Sequence, residues 1–449
     1  MRKYIIAIAA LVLTATAAGA QTFNQALFLD GYRLAYRYNP ALQNEKGFLS
    51  VGQFESLSRN NFGAASFLYP GDGEVLTALH PSISADQFLS SLPNDCYMNG
   101  SINYNIFSYG WRHGNGYSTI EANVRAAYSA SLPKEIFAIA KLGTAEMNYD
   151  LSGFGLSAAA YAEIAYGYSY KISDWLSVGG RAKLLVGIDK VNYNVNRLDM
   201  TMSGDVYKAD IEANLDLTSR WNKMRTDEEG YLNLTSLSAK DKWKLPSGAG
   251  LALDLGIVAT PVEGLTLSAS ALDFGGMLWY YGNAGRSKGN VTFTGIDGLT
   301  IEDIEEGRIT EKLDGVKEEF LNSIKLKAEG NKVALESIPF NVNCGVRYDL
   351  PFYRPLAVGA TAGYFHLSGM NYREVRGSLA WNHFPWLGIT ANGGIGTYGP
   401  VWGAAVNLAL CKFRVTVGYE DGFGGTVPYQ GWQLKANDKS VTIGLTYDL

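Results

Sequence analysis

The stretch Ser440–Leu449 alternates without a break. Val441, Ile443, Leu445, Tyr447 and Leu449 fall on one face of a strand, and Thr442, Gly444, Thr446 and Asp448 fall on the other. A period of two puts one row of side chains in an apolar medium and the other in water. The same rhythm runs through 338–350, where Ile338, Phe340, Val342, Cys344, Val346, Tyr348 and Leu350 alternate with Asn341, Asn343, Arg347 and Asp349. It returns in 413–419, where Phe413, Val415, Val417 and Tyr419 alternate with Arg414, Thr416 and Gly418. Setting Arg347 or Arg414 against lipid near the bilayer midplane would cost about 2–4 kcal/mol. The polar row must therefore face a watery lumen. The pattern predicts an all-β fold, a transmembrane antiparallel β-barrel.

Two further features agree with an exported barrel. Arg2 and Lys3 precede an apolar run from Tyr4 to Leu13, and Ala18-Gly19-Ala20 supplies small residues at the cleavage positions. That reads as a signal peptide over 1–20, with the mature chain starting at Gln21. No later stretch approaches 18 uncharged apolar residues, so no transmembrane helix is expected. Glycine is 51 of 449 residues and tyrosine 28, while charged residues make up only 18%. Large barrels show this balance, with glycine in the tightly packed lumen, aromatics at the interfaces and charge kept off the lipid face. The net charge of −5 comes without a basic stripe, so no nucleic-acid partner is expected. Three scattered cysteines support neither a disulfide framework nor a zinc site.

Read in order, the chain divides into a plug over 21–46 and a barrel over 47–449. Pro40 holds Asn39 extended and removes a ladder donor, so the aromatic-rich lead-in to Ala41 is a folded plug and not a strand. Strands are expected near 47–57, 100–112, 117–131, 150–172, 175–188, 191–203, 205–219, 249–260 and 265–274. Further strands follow near 338–350, 356–367, 372–381, 386–397, 401–410, 413–419 and 440–449. That count is sixteen, or fourteen if 191–219 extends its neighbours. Short helices are expected at 84–92, capped by Ser84, and at 132–143, begun at Pro133. Residues 220–246 read as a solvated loop and 282–337 as the largest insertion. Within the latter, Leu313, Val316, Phe320 and Ile324 recur at helical spacing. Counting hairpins back from a periplasmic C-terminus puts the long insertions outside and the short turns in the periplasm, the outer-membrane pattern.

The Asn39-Pro40-Ala41 tripeptide after the signal peptide, the hairpin 161–172/175–187, the run 261–279 and the terminal strand together resemble a FadL/TodX-type long-chain fatty-acid transporter barrel. They are also similar to a related set of Bacteroidetes outer-membrane proteins, some of them PorV-like secretion partners. The resemblance implies an N-terminal hatch in the lumen, with Asn39, Pro40 and Ala41 as part of the gate. It also implies a kinked third strand that opens sideways, yet 117–131 contains no Gly or Pro to make a kink.

Motifs for chemistry are weak. Gly285-Arg286-Ser287-Lys288-Gly289 fits the nucleophile elbow but lacks the flanking strand and helix, and reads as a surface turn. Gly394 to Gly399 fits a dinucleotide fingerprint but leads into a strand, so no helix dipole is there to hold a pyrophosphate. His80, His113, His366 and His383 stand apart, without metal-ligand spacing. The chain is therefore expected to be no enzyme and to use no cofactor. Its expected function is to bind or pass a hydrophobic or amphipathic small molecule by diffusion, with Leu313, Val316 and Phe320 as an apolar catch site. The alternative is a non-transporting outer-membrane partner of a secretion or surface-assembly complex. Outer-membrane lipid and lipopolysaccharide are the expected surroundings. The acidic run 302–306 is simplest as a solvated face, with a divalent-ion bridge to lipopolysaccharide as the sharper reading.

Overall fold

The computed structural model describes residues 25–63, 66–71, 75–142, 148–203, 206–219, 222–239, 246–293, 325–367, 370–422, 427–429, 432–434 and 439–449. The signal-peptide stretch and the residues Leu313, Val316 and Phe320 lie outside the described residues.

Fourteen antiparallel strands close into one barrel. They are β1 (Phe48–Ser50 continued by Gln53–Asn60), β2 (Asp95–His113), β3 (Gly116–Pro133), β4 (Gly155–Ser173) and β5 (Leu176–Ser203). Next come β6 (Val206–Ser219 and Gly248–Val262), β7 (Leu265–Phe293), β8 (Lys327–Ser337 and Phe340–Asp349), β9 (Leu356–Leu367) and β10 (Met370–Phe384). The last four are β11 (Leu387–Gly396), β12 (Gly399–Leu410), β13 (Phe413–Gly422) and β14 (Lys439–Asp448). Closure comes at β1, where Phe54 pairs with Tyr104 on one side and with Ile443 on the other. A closed barrel leaves no lengthwise seam of unpaired backbone, which is the condition for standing in lipid.

The count of fourteen follows from register. Leu176–Gly187 of β5 pairs with the lower half of β6, while Asp189–Ser203 pairs with the upper half. β7 spans both halves in turn. The segments 191–203 and 205–219 are thus extensions of the wall and not an extra hairpin. Likewise, Gly282–Phe293 and Lys327–Ser337 belong to β7 and β8, so the expected insertion over 282–337 begins and ends as strand. Gly285–Gly289 is paired with Ile211–Leu215 and is no surface turn. The loop expected over 220–246 contains a hairpin, Asn222–Thr226 with Leu232–Ala239. Both short helices form: α1 (Ala85–Ser90), whose cap Ser84 accepts a bond from the Gln87 N–H, and α2 (Lys134–Leu142) just after Pro133.

The two faces of the wall differ as the alternation requires. In β10, Glu374 and Arg376 are 3% and 1% exposed, while their neighbours Val375 and Leu379 are 60% and 49% exposed. Arg347 turns inward and donates to Asp30 at 2.6 Å and to the Leu27 carbonyl at 3.2 Å. Arg414 also turns inward, to Asp448 at 2.9 Å. The alternation predicted for 338–350 breaks at its start, since Ile338 is buried with Tyr161, Met277 and Trp279. Pro339 follows it and has no N–H for the ladder, so β8 is interrupted there.

β3 pairs along its length with β2 and β4, without a register shift against β4. The irregularity lies next to it. β1 breaks at Val51 and Gly52, where Gly52 takes φ +80°, and β2 skips one residue at Ile106. Beyond that point this part of the wall reaches across the lumen. Asn99 Nδ2 meets Met370 Sδ, Arg59 stacks 4.7 Å from the Tyr372 ring, and Tyr97 packs on Phe365, Leu367 and Met370. The opposite face is also covered: Phe62, Ile83, Phe88, Leu92 and Phe137 pack on Cys96, Met98 and Leu132.

Candidate functional site

The segment before β1 lies inside the barrel, and glycine makes room for it. A Cβ on Gly256 would stand 2.0 Å from Asn39 Oδ1, and one on Gly179 would stand 2.3 Å from the Pro40 carbonyl oxygen. Gly345, Gly359 and Gly388 open the same kind of window for Leu27, Phe28 and Leu29. The structure brings Asn39, Pro40 and Ala41 together against β6 and β7. Asn39 Nδ2 donates to the Ile257 carbonyl at 3.0 Å, to Ser268 Oγ at 2.8 Å and to the Ala269 carbonyl at 3.1 Å, while its Oδ1 accepts from the Ala41 N–H at 2.9 Å. No strand pairing joins this segment to the wall among the described residues, so side-chain bonds and fit hold it in place.

Beside it lies a buried ionic network. Arg37 is fully buried; its Nη1 donates to Glu55 at 3.0 Å and its Nε lies 3.4 Å from Glu121. Tyr38 donates to Glu55 at 2.5 Å and Tyr36 to Glu121 at 3.0 Å. Arg181 pairs with Glu121 and, at 3.0 Å, with Asp254. Lys183 lies 2.7 Å from Asp254 and 2.5 Å from Asp273, and Arg125 bridges Glu163 at 3.0 Å and Asp273 at 2.7 Å. Four cations thus meet five carboxylates, all of them buried. Such charges tolerate burial only because each is paired and hydrogen-bonded. Burial also raises the pKa of the Tyr32, Tyr36 and Tyr38 phenols and keeps them neutral.

A second ionic layer stands further up the lumen. Arg376 pairs with Glu374 at 2.8 Å and Glu420 at 3.2 Å, and Arg59 lies 3.8 Å from Glu374. At the short-turn end a polar vestibule of about 620 Å³ is bordered by Asp30, Arg33, Asn44, Arg347, Asn382 and Arg414. Among the described residues the lumen lining is therefore polar, and the N-terminal segment and the ionic network stand inside it beside the inward-leaning wall.

Sequence reasoning singled out Asn39–Ala41 and did not single out the network. The signal was there as spacing: Glu121, Asn123 and Arg125 lie two apart on one face of β3, and Arg181 and Lys183 do so on β5. Which of these meet depends on strand register, which one strand's pattern does not give.

A family model described as a family of unknown function (DUF5723) matches residues 40–420. No curated protein matches the sequence. Among solved structures the chain is similar to the toluene transporter TbuX of Ralstonia pickettii, at 10% identity over 98% of this chain and 97% of that one, with a TM-score of 0.45. It is similar to the toluene transporter TodX of P. putida at 8% identity over 97% and 96%, with a TM-score of 0.43. A Pseudomonas aeruginosa FadL homologue gives 13% identity over 98% and 97%, with a TM-score of 0.44.

Proposed function

The chain belongs to the DUF5723 family, and from that premise we propose that it is a gated outer-membrane barrel. It passes an amphipathic small molecule by diffusion, without chemistry, when the plug over 21–46 moves. The observation that carries this reading is the seating of Asn39–Ala41: a folded segment held in glycine windows by side-chain bonds, outside the strand ladder, can leave without opening the wall. The charged lining favours a passenger with a polar or ionised group over a bare hydrocarbon, because an apolar chain gains nothing beside unshielded ion pairs. The short-turn end faces the periplasm and the long insertions face outside; the apolar spacing of Leu313, Val316 and Phe320 in the sequence of the largest insertion suits a catch for the passenger.

The test is transport of a fluorescent dodecyl carboxylate into proteoliposomes holding the full chain or a chain lacking residues 22–41. Faster entry with the deletion supports the gate; equal rates sink it. A second reading, favoured by the ionic network and the inward-leaning wall that fill the lumen, is a non-transporting partner of a secretion or surface-assembly complex. It expects no entry in either preparation, and loss of a co-purified, identified partner when the extended ends of β5–β8 are trimmed.

A further inference from the structure

The wall carries a concavity on its outward face, independent of the lumen. A groove of about 460 Å³ runs across β2 to β6, bordered by Ile102, Ala126, Tyr128, Ala160, Val191 and Leu217. Register shows which way it opens. Ile102 lies opposite Ala126 and shares its face with Tyr104, which is 44% exposed, while the intervening Asn103 is fully buried in the lumen. Ala160 shares its face with the outward Ile164 and pairs with Asp189. Val191 in turn pairs with Leu217. Alanines at 126, 158 and 160 leave the space that larger side chains fill elsewhere on the wall, and the register of β5 shifts by one residue between Gly187 and Asp189 beside them. One end is polar, with Asp189, Thr218 and Ser219.

The surroundings decide what enters. Tyr104, Ile164 and Leu184, on the same strands toward the short turns, stand exposed on the outward face, so the groove continues the lipid-facing belt. Counted from the short-turn ends at Gly116 and Leu176, Ala126 and Asp189 lie 10 and 13 residues up. At ~3.3 Å per residue and a tilt near 40°, that is roughly 25–35 Å, the far edge of an apolar band about 25 Å tall. The groove therefore opens on the leaflet at the long-loop end, with its polar end at the headgroup level.

We propose that this groove is a binding site for one acyl chain of lipopolysaccharide, its chain along the alanine floor and its polar linkage beside Asp189 and Ser219. The inference takes from the functional reading only the orientation of the barrel, and it holds whether or not the lumen conducts.

The test extracts the full chain from outer membranes in mild detergent and measures the fatty acids released on acid methanolysis. Hydroxylated chains report lipopolysaccharide and unhydroxylated chains report phospholipid. The expected result is hydroxylated chains bound to the natural sequence and an at least about tenfold loss in the Ala126→Trp/Ala160→Trp variant. Leu184→Trp, on the belt but outside the groove, retains them. Heat-modifiable gel migration checks that each barrel has closed. Equal retention in the double variant, or phospholipid chains only, overturns the proposal. Failure of plug deletion to change transport bears on the gate and leaves this result standing.

Discussion

Replacing Arg37 with Met removes the one plug cation that reaches two wall carboxylates. Arg37 is fully buried, bonded to Glu55 at 3.0 Å and facing Glu121 at 3.4 Å. Deleting one partner of a buried pair costs about 3–5 kcal/mol, because the remaining charge is stranded. Here the lower end applies. Glu121 keeps Arg181, and Glu55 keeps bonds from Tyr38 and Gln53. A loss of about 3 kcal/mol in plug seating raises the unseated population roughly 100-fold, at about 1.4 kcal/mol per decade. Adding Glu55→Gln to Arg37→Met should restore part of it, since the second change removes the stranded charge. The assay is protease protection of residues 25–41 in proteoliposomes, with planar-bilayer conductance read in parallel. Unchanged protection in Arg37→Met would refute the reasoning, as would a double variant no better protected than the single one.

Three further outcomes follow. Gly256→Val places side-chain atoms where Asn39 Oδ1 sits, 2.0 Å from the Cβ position, so the plug should lose protection at least as fully as in Asn39→Ala while the barrel stays heat-modifiable. Burial raises the Tyr32, Tyr36 and Tyr38 pKa values above the ordinary 10; the seated plug therefore keeps its full stability below pH 10 and loses it as pH rises beyond, because only the released phenols ionise there. A pH titration of protease protection reads this directly, and Phe at all three positions should flatten it. Cys344 is exposed on the outward face and Cys96 is buried under the α1–α2 cluster; a lipid-soluble maleimide should modify the first and spare the second, as intact-mass measurement will show.

Much of the wall was legible in the chain because lipid enforces contrast. Where β8, β10 and β13 cross the apolar band, every second residue must be greasy, and Arg347 and Arg414 fell on the inward row as the alternation required. The contrast fades where the strands rise past the band. Gly282–Phe293 is made mostly of small and polar residues, with Asn283, Ala284 and Ser287 buried, and Lys327–Ser337 offers only Val333 and Leu335 as an alternating apolar pair, so no two-residue rhythm of large apolar side chains marks them and they read as insertion. Of the two counts the alternation allowed, fourteen stands over sixteen: β6 is one strand cut by residues 220–247, and only its neighbours' register rejoins the halves. The Asn39–Ala41 tripeptide stood out because Pro40 breaks a strand pattern outright. The ionic network did not, since Glu163, Arg125 and Asp273 lie far apart in sequence and meet only when β3, β4 and, beyond β5 and β6 in the wall, β7 all turn these side chains inward at one level of the closed barrel.

Asp448 closes β14. It takes both Arg414 from the neighbouring strand and, 415 residues away, Arg33 from the plug. That clasp sets an order of events. The plug's arginine has no finished seat until the final strand has arrived, so settling of the lead-in reports that the circle has shut. A chain truncated by two residues would still complete most of its ladder, yet its first-made segment would be left waiting at the mouth.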